Sequence, residues 1–313
     1  MDLRRPPRLA LGAAAAGASP TAAGTAPARG LGLSDHELDL FQRLIHDETG
    51  ILLPDSKRAL IVGRLAGRLR ELGLSSFLEY YRLVLRDGEA ERTQMLDRIV
   101  TNETRFFREP KQFDFLQQRA FPEWEAAAAA GRRPRRIRVW SAACSTGEEP
   151  YSVAMALLAR FPPSSGWEVE VLATDLSTRA LAWAERGIWP LARASEIPRP
   201  HLTAFMLRGR GGEQGRMKAA PELRRVVRFA RVNLSGSSYP VAGPFELVLC
   251  RNVLIYFDPR ARAEVVARLV ALLAADGLLL LGQAEGLTGR IETTRSVGPA
   301  VFAHARAAAR WDR

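Results

Sequence analysis

Two adjacent carboxylates, Glu148 and Glu149, stand directly behind the tight small-residue loop Cys144-Ser145-Thr146-Gly147. Ahead of the loop, Ile137 to Ala143 reads as a buried strand, and behind it a helix opens at Glu149-Pro150. This strand–loop–helix corner is where open α/β sheets hold nucleotide-like ligands. A helix N-terminus ordinarily welcomes phosphate. Here only Gly147 is a glycine, and the two carboxylates repel phosphate, so NAD, FAD and ATP fit poorly. S-adenosylmethionine suits the corner better. It has no phosphate, carries a sulfonium and an ammonium, and offers ribose hydroxyls to acceptors. The corner predicts a methyltransferase.

Three further constellations join it. The second strand ends Ala173-Thr174-Asp175-Leu176-Ser177, and an acid at that position grips ribose hydroxyls in this architecture. Asp175 would serve equally well as an N-cap for the next helix; beside Glu149, the ligand role is favoured. The fourth strand ends Cys250-Arg251-Asn252, where Asn252 offers both a donor and an acceptor to the crevice, with Tyr256 close behind. Tyr256 also suits a half-buried core position with its hydroxyl bonded to backbone. The segment from Thr101 to Pro110 lies just before the sheet and can close over the crevice. A capped helix with Phe106 and Phe107 in the core explains its aromatics, but not Asn102, Thr104 and Arg108.

The elements that must position these residues follow from periodicity. From Leu33 to about Arg98 the pattern is helical, with Ser34 and Glu37 in capping-box spacing. A second helix over 56–72 places Leu60, Ile61, Leu65, Leu69 and Leu72 on one side. Segments 77–85 and 92–100 add two more, which makes a small all-α domain over 31–98. A linker helix carrying the Thr101–Glu109 segment is expected over 99–118. From 119 to 313, apolar runs at 137–143, 169–174, 226–232, 245–250 and 277–282 alternate with helices at 150–161, 177–186 and 259–275. That rhythm predicts a doubly wound, mostly parallel, Rossmann-like sheet closed by an antiparallel element over 293–305. The rhythm breaks at about 190–225, read as an inserted β-subdomain or a surface loop.

Composition narrows the class. Of 45 basic residues, 42 are arginine and only Lys57, Lys111 and Lys218 are lysine; the net charge of +11 expects an acidic partner without choosing one. Cys144 and Cys250 form no paired spacing and are expected reduced, as in a cytoplasmic protein. The four histidines are scattered, so no metal site is expected. No apolar run reaches the ~20 residues of a membrane span. Residues 1–30, rich in Ala, Gly and Pro, read as a disordered tail or an over-extended start.

Taken together, the runs TNETRFFREP (101–110), RVWSAACSTGEEPYS (138–152), ATDLS (173–177), VNL (232–234) and CRNVLIYFD (250–258) resemble the chemotaxis receptor methyltransferases, the CheR family, in order and spacing over roughly 33 to 305. The resemblance implies a class I fold binding S-adenosylmethionine, with S-adenosylhomocysteine as product. It implies methyl-ester formation on glutamates of membrane chemoreceptors, whose cytoplasmic domains would be the partners. The implied cofactor set is Asn102, Thr104, Arg108, Glu149, Asp175, Asn233, Leu234, Asn252 and Val253, with Arg108 and Tyr256 nearest the reacting centre. A basic helix face at Lys57, Arg58, Arg64 and Arg68 would meet an acidic receptor helix, unless it is simply a solvated side. Where the family often has GHSE, this chain has Gly282-Gln283-Ala284-Glu285, so any role of that histidine is lost or unneeded. Docking of a receptor C-terminal peptide on the inserted subdomain is left open by the Arg/Gly-rich 205–221.

A glutamate carboxylate is ionised at pH 7, so its methylation requires no general base, consistent with the absent His dyad. Two other readings compete. The +11 charge permits a methyltransferase of RNA or a small molecule, though neither an RNA-module motif nor a Pro-Pro-Tyr run is present, and no nucleic-acid partner is expected. A non-catalytic, cofactor-binding receptor scaffold would keep the fold. A monomer is the default expectation.

Overall fold

The computed structural model describes residues 31–285 and 293–311; the expected tail at 1–30 lies outside them. Four helices open the chain: α1 (Asp35–Thr49), α2 (Arg58–Glu71), α3 (Phe77–Arg86) and α4 (Glu89–Ile99). The capping box forms as expected. The Ser34 amide donates to Glu37 at 2.8 Å, and Ser34 Oγ accepts the Glu37 amide at 3.3 Å. Phe41 is the hub of the bundle, edge-on to Phe77 at 6.1 Å and stacked on Tyr80 at 6.2 Å. Ile61, Leu65 and Leu69, from the predicted apolar side of α2, are fully buried against it.

The expected linker helix over 99–118 forms only from Pro110 on. Residues 101–105 belong to no helix or strand, Phe107 and Glu109 turn through left-handed backbone at φ 48° and 61°, and helix begins only at Pro110. Pro110 sets a favourable first helical residue, and side chains from other elements claim the backbone of the loop before it. Helix α5 (Pro110–Phe115) then runs through a π-turn at Leu116–Ala120 into α6 (Phe121–Ala129).

The second domain is a doubly wound sheet. Its strands are β1 (Arg136–Ala142), β2 (Glu168–Asp175), β6 (Val227–Arg231), β7 (Phe245–Cys250), β8 (Leu273–Leu281), β9 (Thr294–Gly298) and β10 (Val301–His304), in the order β6-β2-β1-β7-β8-β10-β9. The first five are parallel, and β10 and β9 close the edge antiparallel. Helices α7 (Glu148–Arg160), α8 (Thr178–Arg186) and α11 (Pro259–Ala271) connect them. The last ends four residues short of the expected boundary. Its Ala-rich end carries no helical signal that outweighs pairing: Phe245 opposes Leu273 and donates to the Leu272 carbonyl at 2.9 Å. Alternation along β1 sends Ile137 and Val139 to one core, and Trp140 and Ala142 to the other.

The segment between α8 and β6 is a true subdomain. Strands β3 (Ile188–Pro190), β4 (Met206–Arg208) and β5 (Arg216–Ala219) form an antiparallel sheet in the order β3-β5-β4. Helix α9 (Arg199–Phe205) sits within it, and α10 (Pro221–Val226) leads into β6. No helix among the described residues is long and apolar enough to cross a membrane.

Inside the helical domain, Arg68 donates to Glu91 at 2.9 and 2.6 Å while Tyr80 donates to the same carboxylate at 2.9 Å. The Arg68 hydrogen bond holds the Glu91 carboxyl below its ordinary range despite burial. That stabilisation is present above the ordinary glutamate range and is lost as pH falls through the lowered value. Glu91→Gln is therefore expected to destabilise the protein by about 2 kcal/mol at neutral pH and to flatten the acid limb of stability, read by denaturant unfolding across pH.

Candidate functional site

The topological switch lies at β1, which is flanked by β2 on one side and β7 on the other. The carboxyl ends of β1, β2, β6 and β7 frame a cavity of about 620 Å³, a size suited to a nucleoside-like ligand. Its lining includes Asn102, Thr104, Arg108, Glu149, Asp175, Asn233, Leu234, Asn252, Val253 and Tyr256. Every expected cofactor and reacting-centre residue is thus brought together from five separate segments.

The floor is a buried ion pair. Arg251, 1% exposed, donates Nε to Glu149 at 2.7 Å, and Ser141 Oγ donates to the other Glu149 oxygen at 2.7 Å. Arg251 also donates Nη1 to the Arg108 carbonyl at 2.7 Å and to Gln112 at 3.1 Å. The loop after β1 curls because Ala143 and Ser145 are left-handed at φ 67° and 51°. Gly147, at φ 96°, lets that loop press onto α8, since a Cβ there would lie 2.9 Å from Ala184 Cβ. Asp175 accepts the amides of Ser145 and Ser177 at 2.8 and 2.9 Å. Burial pushes its carboxyl upward while those amides pull it back. The helix N-cap expected of Asp175 is instead Ser177, whose Oγ accepts the Ala180 amide at 3.1 Å; Asp175 accepts the Ser177 amide just before the helix and borders the cavity.

The fourth wall depends on a residue the motifs did not flag. Glu285 is fully buried, and its two oxygens accept four amides. Gly282 and Asn252 donate to one at 2.7 and 2.8 Å; Leu254 and Ile255 donate to the other at 2.7 and 3.3 Å. This carboxylate shapes the turn that carries Asn252, left-handed at φ 61°, and Tyr256. In the Gly282–Glu285 run the glutamate organises the site without a histidine.

The small domain supplies the lid. Ile51 bridges Phe257 antiparallel, and the Leu52 amide donates to the Tyr256 carbonyl at 2.8 Å. Alternation then leaves Leu52 and Tyr256, 58% and 37% exposed, together at the mouth, while Phe257 is buried. Asn233 donates Nδ2 to the Glu48 carbonyl at 2.6 Å and accepts the Ser235 amide at 3.0 Å, so its amide docks the lid to the loop after β6.

The four expected receptor contacts do not form one free basic face. Arg68 is committed to Glu91 and Glu71, and Arg58 to Asp35 and the Leu33 carbonyl. Arg64 spans from α2 to the Arg98 and Val100 carbonyls at 3.0 and 2.9 Å. Only Lys57 and Arg64 of the four border the cavity. Seven- and four-residue spacing puts Arg64 and Arg68 on one side of α2, but that side packs on α4.

Among the described residues, no group of three or more His, Cys, Asp or Glu could hold a metal. Cys144 and Cys250 are buried, and burial pushes both thiols well up. The donor set instead fits S-adenosylmethionine. Asn252 Oδ1 is a buried acceptor with no protein partner, and the carboxylates of Asp175 and Glu149 retain lone pairs for hydroxyl or ammonium donors. No run of glycine amides is available to cradle a phosphate.

Comparison with known proteins decides the family. Residues 102–301 match the model of the CheR methyltransferase SAM-binding domain, and residues 36–100 match the CheR methyltransferase all-alpha domain. The chain belongs to the CheR methyltransferase family. It is similar to chemotaxis protein methyltransferase 2 of Pseudomonas aeruginosa, 38% identical over 82% of this chain and 89% of that one. The chemotaxis protein methyltransferase of Salmonella typhimurium is 37% identical over 87% and 91%. That of Escherichia coli is 38% identical over 82% and 87%. As a CheR protein the chain is an S-adenosylmethionine-dependent methyltransferase, and its two matched segments meet where the lid meets the sheet.

Removing Glu285 would leave four amides of the CheR turn without their acceptor. Glu285→Ala is expected to cost about 3 kcal/mol of stability and to weaken S-adenosylhomocysteine binding more than roughly tenfold, read by denaturant unfolding and calorimetric titration.

Proposed function

We propose that this chain transfers the methyl group of S-adenosylmethionine to glutamate side chains on the cytoplasmic part of chemoreceptors, giving methyl esters. The observation that carries this reading is the character of the cavity lining. It contains no histidine or cysteine, and both of its buried acids are hydrogen-bonded, while Lys57, Arg64 and Arg108 lie along it with Glu103 as the one other carboxylate. A cavity without a general base suits an acceptor that is already ionised. A cationic lining selects a carboxylate over an amine.

Bound S-adenosylmethionine supplies a sulfonium-activated methyl group, and S-adenosylhomocysteine remains after transfer. Asp175 and Asn252 would take its hydroxyl and ammonium donors, with Thr104, Glu149 and Asn102 completing the polar wall. Asn233, Leu234 and Val253 would border the base. Arg108 would steer the incoming carboxylate, and Tyr256 at the mouth would fix its approach. Alignment of this kind can lower a barrier by about 7–11 kcal/mol. Lys57 and Arg64 would meet acidic neighbours of the target glutamate. Chemotaxis is the setting named for the similar proteins, and it makes a chemoreceptor the acceptor tested first.

The test is transfer of labelled methyl from S-adenosylmethionine into membranes carrying the host's chemoreceptors, followed by base hydrolysis. Base-labile label on receptor bands is expected, with Arg108→Ala reducing turnover at least about a hundredfold. Cofactor binding without receptor label would sink the substrate assignment. Full turnover in Arg108→Ala would remove that residue from the reacting centre.

A further inference from the structure

The loop that carries Asn102, Thr104 and Arg108 is held in part by an element that lines no part of the cavity. None of residues 188–219, the inserted subdomain, borders the cavity. Yet Arg193 donates Nη2 to the Thr104 carbonyl at 2.6 Å, and Glu196 accepts the Phe106 amide at 2.9 Å. Trp189 meets Phe106 edge-on at 5.0 Å, and His201 lies flat on Phe107 at 5.2 Å with 9° between the rings. Arg193 further pairs with Glu196 at 2.7 Å and with buried Glu148 at 3.4 Å, tying the loop to the first turn of α7. From the main domain, Ser152 Oγ accepts the Phe107 amide at 2.9 Å and Ser145 Oγ donates to the Asn102 carbonyl at 3.0 Å.

The loop needs such a hold. Its first part, 101–105, belongs to no helix or sheet, and Phe107 and Glu109 occupy left-handed backbone that costs non-glycine residues on the order of 1–3 kcal/mol each. Strain of this kind persists only where neighbours over-determine the conformation. The alternation of exposure along 101–105 turns Asn102 and Thr104 inward, and a shift of one residue would turn them out.

We propose that the inserted subdomain is a positioning device for the cofactor loop, with Glu196 and Arg193 as positioning residues that hold Thr104 to Phe107 so that Thr104 and Arg108 face the cofactor. Subdomain and cofactor site are then energetically coupled through residues that never touch the cofactor. The proposal rests on the reading that Thr104 and Arg108 contact the cofactor, and Arg108→Ala tests that reading separately.

The experiment is calorimetric titration of the full chain with S-adenosylhomocysteine, comparing wild type, Arg108→Ala, Glu196→Ala and Glu196→Gln, with the unfolding midpoint read alongside. Glu196→Ala is expected to weaken binding roughly tenfold, the loss of one charge-assisted hydrogen bond, with little change in midpoint. Glu196→Gln keeps an oxygen for the Phe106 amide and is expected to bind within about twofold of wild type. Tryptic cleavage after exposed Arg105 should be faster in Glu196→Ala and unchanged in Glu196→Gln. Weak binding by Arg108→Ala with wild-type binding by Glu196→Ala would overturn the proposal; wild-type binding by Arg108→Ala would overturn the reading beneath it. Should Glu196→Ala fail to fold, His201→Ala decides in the same titration. A loss of about threefold or more supports the clamp, and wild-type affinity overturns it.

Discussion

The site depends on one buried ion pair. Taking a carboxylate and a guanidinium out of water costs several kcal/mol per ion, and mutual attraction offsets this only when the remaining lone pairs and protons are also satisfied. Glu149 and Arg251 meet that condition through Ser141, Gln112 and the Arg108 carbonyl. The pair binds the ends of β1 and β7, the start of α7 and the loop before α5 into one unit. Everything that approaches the cavity does so from loops anchored, directly or at one remove, to this pair.

Around that anchor, strain and closure are arranged in the same place. Five of the six non-glycine residues with positive φ among the described ones, Phe107, Glu109, Ala143, Ser145 and Asn252, lie in loops that frame the cavity. Four of the five have hydrogen-bond partners in another element: Glu285 for Asn252, Ser152 for Phe107, Asp175 for Ser145 and Gln283 for Glu109. The helical domain then converts an open crevice into a walled one. It does so through short contacts across the domain boundary: Asn233 to Glu48, Leu52 to Tyr256, His46 to Asp258 at 3.3 Å, and Thr178 to Asp97 at 2.5 Å. Two domains built by different hydrophobic periodicities thereby share one site, and the mouth carries side chains from both.

Much of this architecture was legible in the chain. Continuous apolar runs revealed the parallel strands, and the Ser34–Glu37 spacing marked the first helix, because burial on two faces and capping leave local signatures. Glu149, Asp175 and Asn252 drew attention as polar residues where buried strands end, and the rest of the expected cofactor set followed only from the family resemblance. What escaped was long-range. Glu285 stood only as the end of the run where the family often has GHSE, with no role of its own, and Arg251 was one arginine among 42, since nothing local records a partner 102 residues away at Glu149. Arg68 misled for the same reason: its spacing on α2 is that of a solvated face, but Glu91 on α4 claims it, with Tyr80 of α3 donating to the same carboxylate. The loop from Thr101 to Glu109 read as helix because its residues tolerate helix; the side chains that claim its backbone come from Ser145, Ser152, Arg193, Glu196 and Arg251, far away in sequence.

The most direct test of this account is a double-mutant cycle on the anchor, with Glu149→Gln, Arg251→Met and the double variant titrated with S-adenosylhomocysteine. If the pair organises the cofactor loops as a unit, each single substitution weakens binding strongly and the double variant binds no worse than either, a coupling of more than about 1 kcal/mol. Losses that simply add would contradict the account, because the two side chains would then act on the cofactor independently.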